Sequence, residues 1–244
     1  MESGNKILVI PDVHLKLWMF DEADIIMRNE DIQIAVVLSD LADDWDKSAD
    51  ISLVNRTFLR LDKFTDEHPE SLVVLGNHEM SYYWRKQESG YSNKAEMPVL
   101  SWVMDLRKKL GKRIGFIKRI QNVIFSHAGL TKEFLDEKIP EWTAMDIDRV
   151  LDTINDMGSE DLWYYTSPLW VRPDSSAFHS FSDKYFQVCG HTPMERPMLI
   201  KGILCCDVFS TKSDGTPIGS QEFVIVDTIE KTWATVKAPS LTQG

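Results

Sequence analysis

Short, largely apolar runs recur along this chain, and each stops at a small or polar residue. Residues 7–10 end at Pro11, 34–38 at Ser39, 72–75 at Gly76 and 121–125 at Ser126. Such a run has the length of a strand, and one without polar alternation needs cover on both faces. The stretches between them carry helical spacing. Over residues 50–64, for example, Ile51, Val54, Phe58 and Leu61 share one side. Further helices are expected over residues 20–29, 98–110, 132–138 and 146–157. The final third is strand-like at residues 187–189, 198–207, 222–226 and 232–236, with Pro, Gly and Ser in the gaps. A β-α-β-α-β start followed by a strand-rich half predicts an α/β sandwich with layered sheets.

Size and charge narrow the function classes. The chain has 244 residues, 43% of them apolar, which suits one large domain rather than two. We expect that domain over residues 1–237 and a flexible tail over 238–244. A formal net charge of −11 argues against a surface that coats nucleic acid. An acidic protein can still hold an anion, but only through a locally positive site, which directs attention to metals. The three cysteines, Cys189, Cys205 and Cys206, are odd in number and two are adjacent. That pattern fits no disulfide framework and predicts a reducing, cytoplasmic setting. The first apolar run is too short for a membrane span or a signal-peptide core, so a soluble, unprocessed chain is expected.

Ligands of open α/β sheets gather at the carboxyl ends of the strands. The residues placed there are of ligand type. Asp12 and His14 follow the first strand, Asp40 and Asp43 the second, and Asn77, His78 and Glu79 the third. His127 follows the fourth, and His191 follows residues 187–189. Four of the six histidines fall at these positions; only His68 and His179 do not. Any one of them alone is readily a loop residue or a turn former, but five sites in succession are not. Mixed N and O donors without a thiolate suit Mn, Fe or Zn better than Ca or Mg, and exclude a structural Cys-zinc site.

In order and chemistry, Asp12-Val13-His14, then Asp40 and Asp43, then Gly76-Asn77-His78-Glu79, then Ser126-His127-Ala128-Gly129, then Gly190-His191-Thr192-Pro193 resemble the calcineurin-like metallophosphoesterase superfamily. Leu169-Trp170-Val171-Arg172-Pro173 resembles a segment of its phosphoprotein phosphatase branch, of the bacterial and phage type. The resemblance implies a four-layer α/β/β/α sandwich with two mixed central sheets and a hydrolase with two divalent metal ions, Mn or else Fe or Zn. It implies that Asp12 and His14 hold the first metal, that Asp40 bridges, and that Asn77, His127 and His191 hold the second. His78 then stays off the metals beside the leaving group, and Asp43 orients it. The metals would hold a bridging hydroxide. Two divalent ions against Asp12, Asp40 and that hydroxide leave roughly one net positive charge for an anionic substrate.

The implied reaction is phosphoester hydrolysis on a phosphorylated substrate, protein or nucleotide. The reading is a phosphatase of monoesters, including phosphoproteins. The alternatives are a nucleotide or diadenosine polyphosphate hydrolase, a phosphodiesterase, and a non-catalytic binding scaffold. Three departures from the branch bear on substrate. Ser39 stands where the family carries Gly, and Asp44 and Leu75 stand where phosphoprotein phosphatases carry phosphate-binding arginines. Arg172 then becomes the remaining guanidinium, either gripping a phosphate oxygen or steadying the turn at Pro173. Arg85, Lys86 and Lys94 are nearby basic residues that could compensate. Glu79 is expected to accept hydrogen bonds behind the ligands, and Asp207 to form a turn. Trp18, Trp45, Tyr82, Tyr83 and Trp84 read as core or rim packing before a stacking wall for a base.

Overall fold

A computed structural model describes residues 5–242. The elements in chain order are β1 (Lys6–Ile10), α1 (Trp18–Asn29), β2 (Ile34–Val37), α2 (Ile51–Glu67), β3 (Leu72–Val74), α3 (Asn77–Tyr83) and α4 (Glu96–Leu110). There follow β4 (Ile114–Gly115), β5 (Ile117–Ile120), β6 (Val123–Ser126), α5 (Lys132–Lys138), α6 (Ile147–Asn155) and α7 (Ser159–Leu162). The chain ends with β7 (Phe186–Cys189), β8 (Met198–Ile200), β9 (Ile203–Cys205), β10 (Glu222–Asp227) and β11 (Thr232–Lys237).

These strands form two mixed sheets. One runs β11-β10-β1-β2-β3-β4, the other β5-β6-β7-β9-β8. In the first, β1 to β4 are mutually parallel, and β10 joins β1 antiparallel. In the second, β6, β7 and β9 are parallel, and β5 and β8 close the edges antiparallel. The sheets stack on an apolar layer in which Ile7, Val9, Val36, Leu38 and Val74 of one meet Val123, Phe125, Val188 and Leu204 of the other. The alternate residues of the first sheet, Leu8, Ile10, Ala35, Val37 and Val73, belong to the cluster that also holds Phe20, Phe58, Phe64 and Val103 of the flanking helices. Beyond the second sheet, Phe178 and Val171 pack on Ile203 and Cys189. Apolar cover on both faces explains why the strands lack polar alternation. The fold is the expected four-layer α/β/β/α sandwich with two mixed sheets.

Several boundaries differ from expectation for local reasons. Helix α4 begins two residues before Pro98, because proline is tolerated in a first helical turn. Helix α2 starts where Asp50 caps it, its carboxylate accepting from Leu53 N, and runs three residues past the expected end. The strand expected over 121–125 is the second arm of a hairpin whose turn contains Gln121 at φ 50°. Residues 198–207 are likewise a hairpin, turning at Lys201-Gly202, both with positive φ. Helix α3 was not anticipated. Part of the stretch expected as a tail is packed: Ala238 is buried, and Ser240 N donates to Glu22 Oε2. The three cysteines are buried and unbridged. Among the described residues, no helix is long and apolar enough to cross a membrane.

Candidate metal centre

Parallel pairing makes the site. The carboxyl ends of β1, β2 and β3 emerge side by side on one sheet, and those of β6 and β7 on the other. Asp12, Asp40, Asn77, His127 and His191 stand just beyond these five ends. All five are buried, each exposing 6% or less of its surface. The turns that carry them are tight. His14, Ser39, Asp40, Asp43 and His191 all adopt left-handed φ, between 42° and 68°, a strained setting typical of functional sites. Parallel-type bonds lock the first two loops together, Val13 N donating to Ser39 O (2.9 Å) and His14 N to Asp40 O (2.6 Å).

The donor atoms converge on Asp40. Its Oδ2 lies 3.3 Å from His127 Nε2, 3.9 Å from His78 Nε2 and 4.0 Å from His14 Nε2. His127 Nε2 is also 2.8 Å from Asn77 Oδ1 and 3.1 Å from His191 Nδ1. Backbone carbonyls orient two of the rings: His14 Nδ1 faces Asp43 O, and His127 Nδ1 faces Leu38 O, at 2.8 and 3.0 Å. Each ring therefore turns its other nitrogen inward, as a metal-ligating histidine does. Asp12 Oδ1 accepts from His191 N at 2.8 Å, while Asp12 Oδ2 is buried without a hydrogen-bond partner. A Cβ at Gly190 would overlap Asp12 Oδ2, and one at Gly76 would overlap Asp40 Oδ1. Both carboxylates thus sit in cradles that only glycine leaves open.

The electrostatics of this donor set call for cations. Burial raises the Asp12 carboxyl well above the ordinary range, and the Asp207 carboxylate adds to the effect. Burial would also raise Asp40, but the imidazoles of His127 and His78 outweigh it and bring the group down. Burial disfavours protonation of His127 and His78 too. Asp40 with Asp12 at His127, and Asp40 with Asp43 and Glu88 at His78, together outweigh burial, so the two are pushed up to about 9 and about 10. Burial holds His14 down at about 4 and His191 well below its usual value. His14, Asp40 and His78 form one grouping close enough to hold an ion, and Asp40, His127 and His191 a second. Two neutral imidazoles, crowded lone pairs and an orphaned carboxylate oxygen fit a pair of divalent ions that share Asp40.

The remaining expected residues are placed as follows. His78, on α3, turns Nδ1 to Asp43 Oδ2 at 3.0 Å. Glu79 accepts from Leu41 N, Ala42 N and Gly76 N, tying the second loop to the third. His14, Asp40, Asn77, His78 and His191 line a cavity of about 420 Å³, and Arg172 lines it too, with Nη1 3.4 Å from both His191 O and Thr192 Oγ1. Asp207 does form the expected turn, accepting from Ser210 N and Oγ, and it also lines the cavity. Asp44 lines it as well, paired with Lys47, while Leu75 is buried in the core. Arg85, Lys86 and Lys94 are not among the lining residues. Of the aromatic residues near the motifs, Trp45 alone lines the cavity. Trp18 packs on Phe209, and Trp84 on Phe116 and Trp163.

Two contributors were not foreseen. Glu88 Oε1 lies 3.2 Å from His78 Nδ1 and accepts from Asn77 Nδ2 at 3.3 Å. It comes from a mixed-charge loop whose sequence carries no signal. Tyr82 OH donates to Asp43 Oδ1 and accepts from Ser92 N at 2.9 Å. Its signal was available, because Tyr82 lies four residues after His78 and shares its face of α3.

The comparisons agree with this geometry. The model of the calcineurin-like phosphoesterase family matches residues 5–209. No curated protein sequence matches the chain. Among solved structures, the chain is similar to a cold-active protein-tyrosine phosphatase of a psychrophilic Shewanella species, with TM-score 0.58 and 15% identity over 96% of this chain and 81% of that one. A further structure of a cold-active protein tyrosine phosphatase aligns with TM-score 0.55 and 16% identity over 98% and 80%. At such identities the likeness is one of fold. The family model extends from β1 to the residues just after β9 and so takes in every strand end of the cluster; the chain belongs to the calcineurin-like phosphoesterase family and is a metal-binding phosphoesterase.

Proposed function

We propose that this protein is a phosphatase of phosphomonoesters working at a two-metal centre. Asp12 and His14 hold one ion, Asn77, His127 and His191 the other, and Asp40 serves both. The observation that carries this reading is that Asp40 Oδ2 stands within 4.0 Å of an imidazole nitrogen from each ligand set, His14 Nε2 of one and His127 Nε2 of the other. A divalent ion held there, Mn or else Fe or Zn, would supply Lewis acidity and lower the pKa of water. Asn77 contributes a neutral oxygen and leaves the local charge positive. His78 directs Nε2 into the cavity and gives a proton to the departing ester oxygen. Asp43 and Glu88 hold that ring from its Nδ1 side, and Tyr82 fixes Asp43 in turn. Arg172 binds a phosphate oxygen at the cavity wall.

The test is metal analysis of the purified protein, then hydrolysis of p-nitrophenyl phosphate and bis-p-nitrophenyl phosphate with added Mn. Monoester turnover that is abolished by chelation is expected. Preference for the diester would replace the phosphatase with a phosphodiesterase, and turnover of neither by metal-loaded protein would leave a binding scaffold.

A further inference from the structure

A second cavity, of about 450 Å³, adjoins the metal centre. Trp163, Tyr164, Tyr165 and Trp170 line it, with Arg172 and Ser175. Arg172 is common to both linings, so one guanidinium stands where the two cavities meet. The aromatic walls pack against one another. Trp163 and Trp170 meet at 78° with ring centroids 4.8 Å apart, making a corner. Trp84 supports Trp163 from behind, and Trp170 packs edge-on against the ring of His191 at 5.8 Å. Tyr164 and Tyr165 form a second pair at 4.5 Å, and Tyr165 exposes 61% of its surface. Four aromatic rings gathered around one open space, one of them mostly in solvent, make a stacking platform.

The geometry points to a base-binding subsite: we propose that this cavity takes the nucleobase of a nucleoside phosphate whose phosphate lies at the metal centre, with Arg172 on the phosphate between them. The inference rests on the phosphatase reading above and narrows its substrate class. The arrangement discriminates between aromatic substrates. Arg172 lines both cavities, and Trp170 of the aromatic cavity packs on His191 of the ligand set. In an aryl phosphate the ring is bonded directly to the ester oxygen, so it stays in the first cavity. In a nucleoside 5′-phosphate, C5′ and the furanose intervene, which carries the base past Arg172. Arg172 suits the junction, since its guanidinium grips a phosphate oxygen with its donors and stacks through its plane.

The test compares AMP with ribose 5-phosphate, which lacks only the base. In metal-free full-length protein, AMP is expected to quench tryptophan fluorescence saturably, and ribose 5-phosphate is not. Tyr165→Ala should weaken AMP binding about tenfold, the effect of one lost stacking contact, and Tyr165→Phe should restore it. In metal-loaded protein, kcat/KM for AMP should exceed that for ribose 5-phosphate by at least about tenfold. Tyr165→Ala should remove the advantage through KM and leave ribose 5-phosphate turnover unchanged. Equal quenching by the two ligands, or equal losses on both in Tyr165→Ala, overturns the subsite while leaving the phosphatase intact. A loss on p-nitrophenyl phosphate as large as that on AMP overturns it also, because the cavity then reads a ring attached at the ester oxygen. Tyr165-dependent AMP quenching in a metal-loaded protein that hydrolyses no phosphoester upholds the subsite and removes the phosphatase reading instead.

Discussion

Two clusters in this molecule draw on the same residue types, and only one of them asks for a ligand. Between α1 and α2, Arg60 bonds Asp21 at 2.8 Å and also pairs with Asp24 and Glu67. His68 Nε2 meets Asp24 Oδ1 at 2.8 Å, and the Arg60 guanidinium lies over Phe20 and Phe64. Each carboxylate there faces a fixed cation of the chain itself. At the strand ends, by contrast, Asp12, Asp40, His127 and His191 crowd together, all of them buried. Asp12 Oδ2 and His191 Nε2 are buried without partners. A structural network satisfies itself, whereas a functional one leaves buried lone pairs for an external cation. His68 and His78 each contact an aspartate at 3.0 Å or less, so an Asp–His pair alone does not mark the site. What separates them is the unsatisfied surroundings of the second.

That contrast can be broken in graded steps. Asp40→Asn should have the largest effect, since it removes the carboxylate both ion positions share. The expected loss of turnover is at least about a thousandfold, from several kcal/mol of charge stabilisation, with metal content falling in parallel. Full turnover by this variant would remove Asp40 from the bridging position. His78→Asn should keep both metals and lower kcat by roughly 10²–10⁴-fold, read by elemental analysis beside steady-state kinetics. Metal loss in that variant would make His78 a ligand.

Smaller steps test the cradle and the control cluster. Gly190→Ala forces a methyl group onto Asp12 Oδ2 and should cost about 1–3 kcal/mol. Thermal unfolding should show the lower Tm, and Mn titration the weaker metal binding. An unchanged Tm with full metal content would mean that Asp12 has room to move. Asp24→Asn, in the half-buried cluster, should cost about 1–3 kcal/mol through its bonds to Arg60 and His68 and leave turnover untouched. The smallest change is Ser39→Gly. It relieves a left-handed residue and removes a buried hydroxyl that has no partner. Relief of roughly 1 kcal/mol is partly offset by the added freedom of the unfolded chain. A modest rise in denaturation midpoint at constant slope is expected.

The amino-acid sequence alone determined the layered α/β sandwich and the ligand-bearing strand ends. Both depend on local signals: apolar runs without alternation demand two covered faces, and parallel strands present their carboxyl ends together. Ser39 in the family's glycine position was legible too, although its strain became visible only as a φ of 66°. Hairpins were harder to read. Lys118 and Arg119 in β5 resemble the basic end of α4, and only antiparallel pairing with β6 makes them a strand. Tertiary structure decided that Glu88, from a loop without a motif, reaches His78. It also placed Trp163 and Tyr165 around a cavity that ends at Arg172. Those partners are near one another along the chain, Glu88 ten residues after His78 and the cavity residues all within 163–175, but Glu88 and the cavity residues lie in irregular segments. No local periodicity encodes them, because the course of an irregular loop is settled by the elements it packs against.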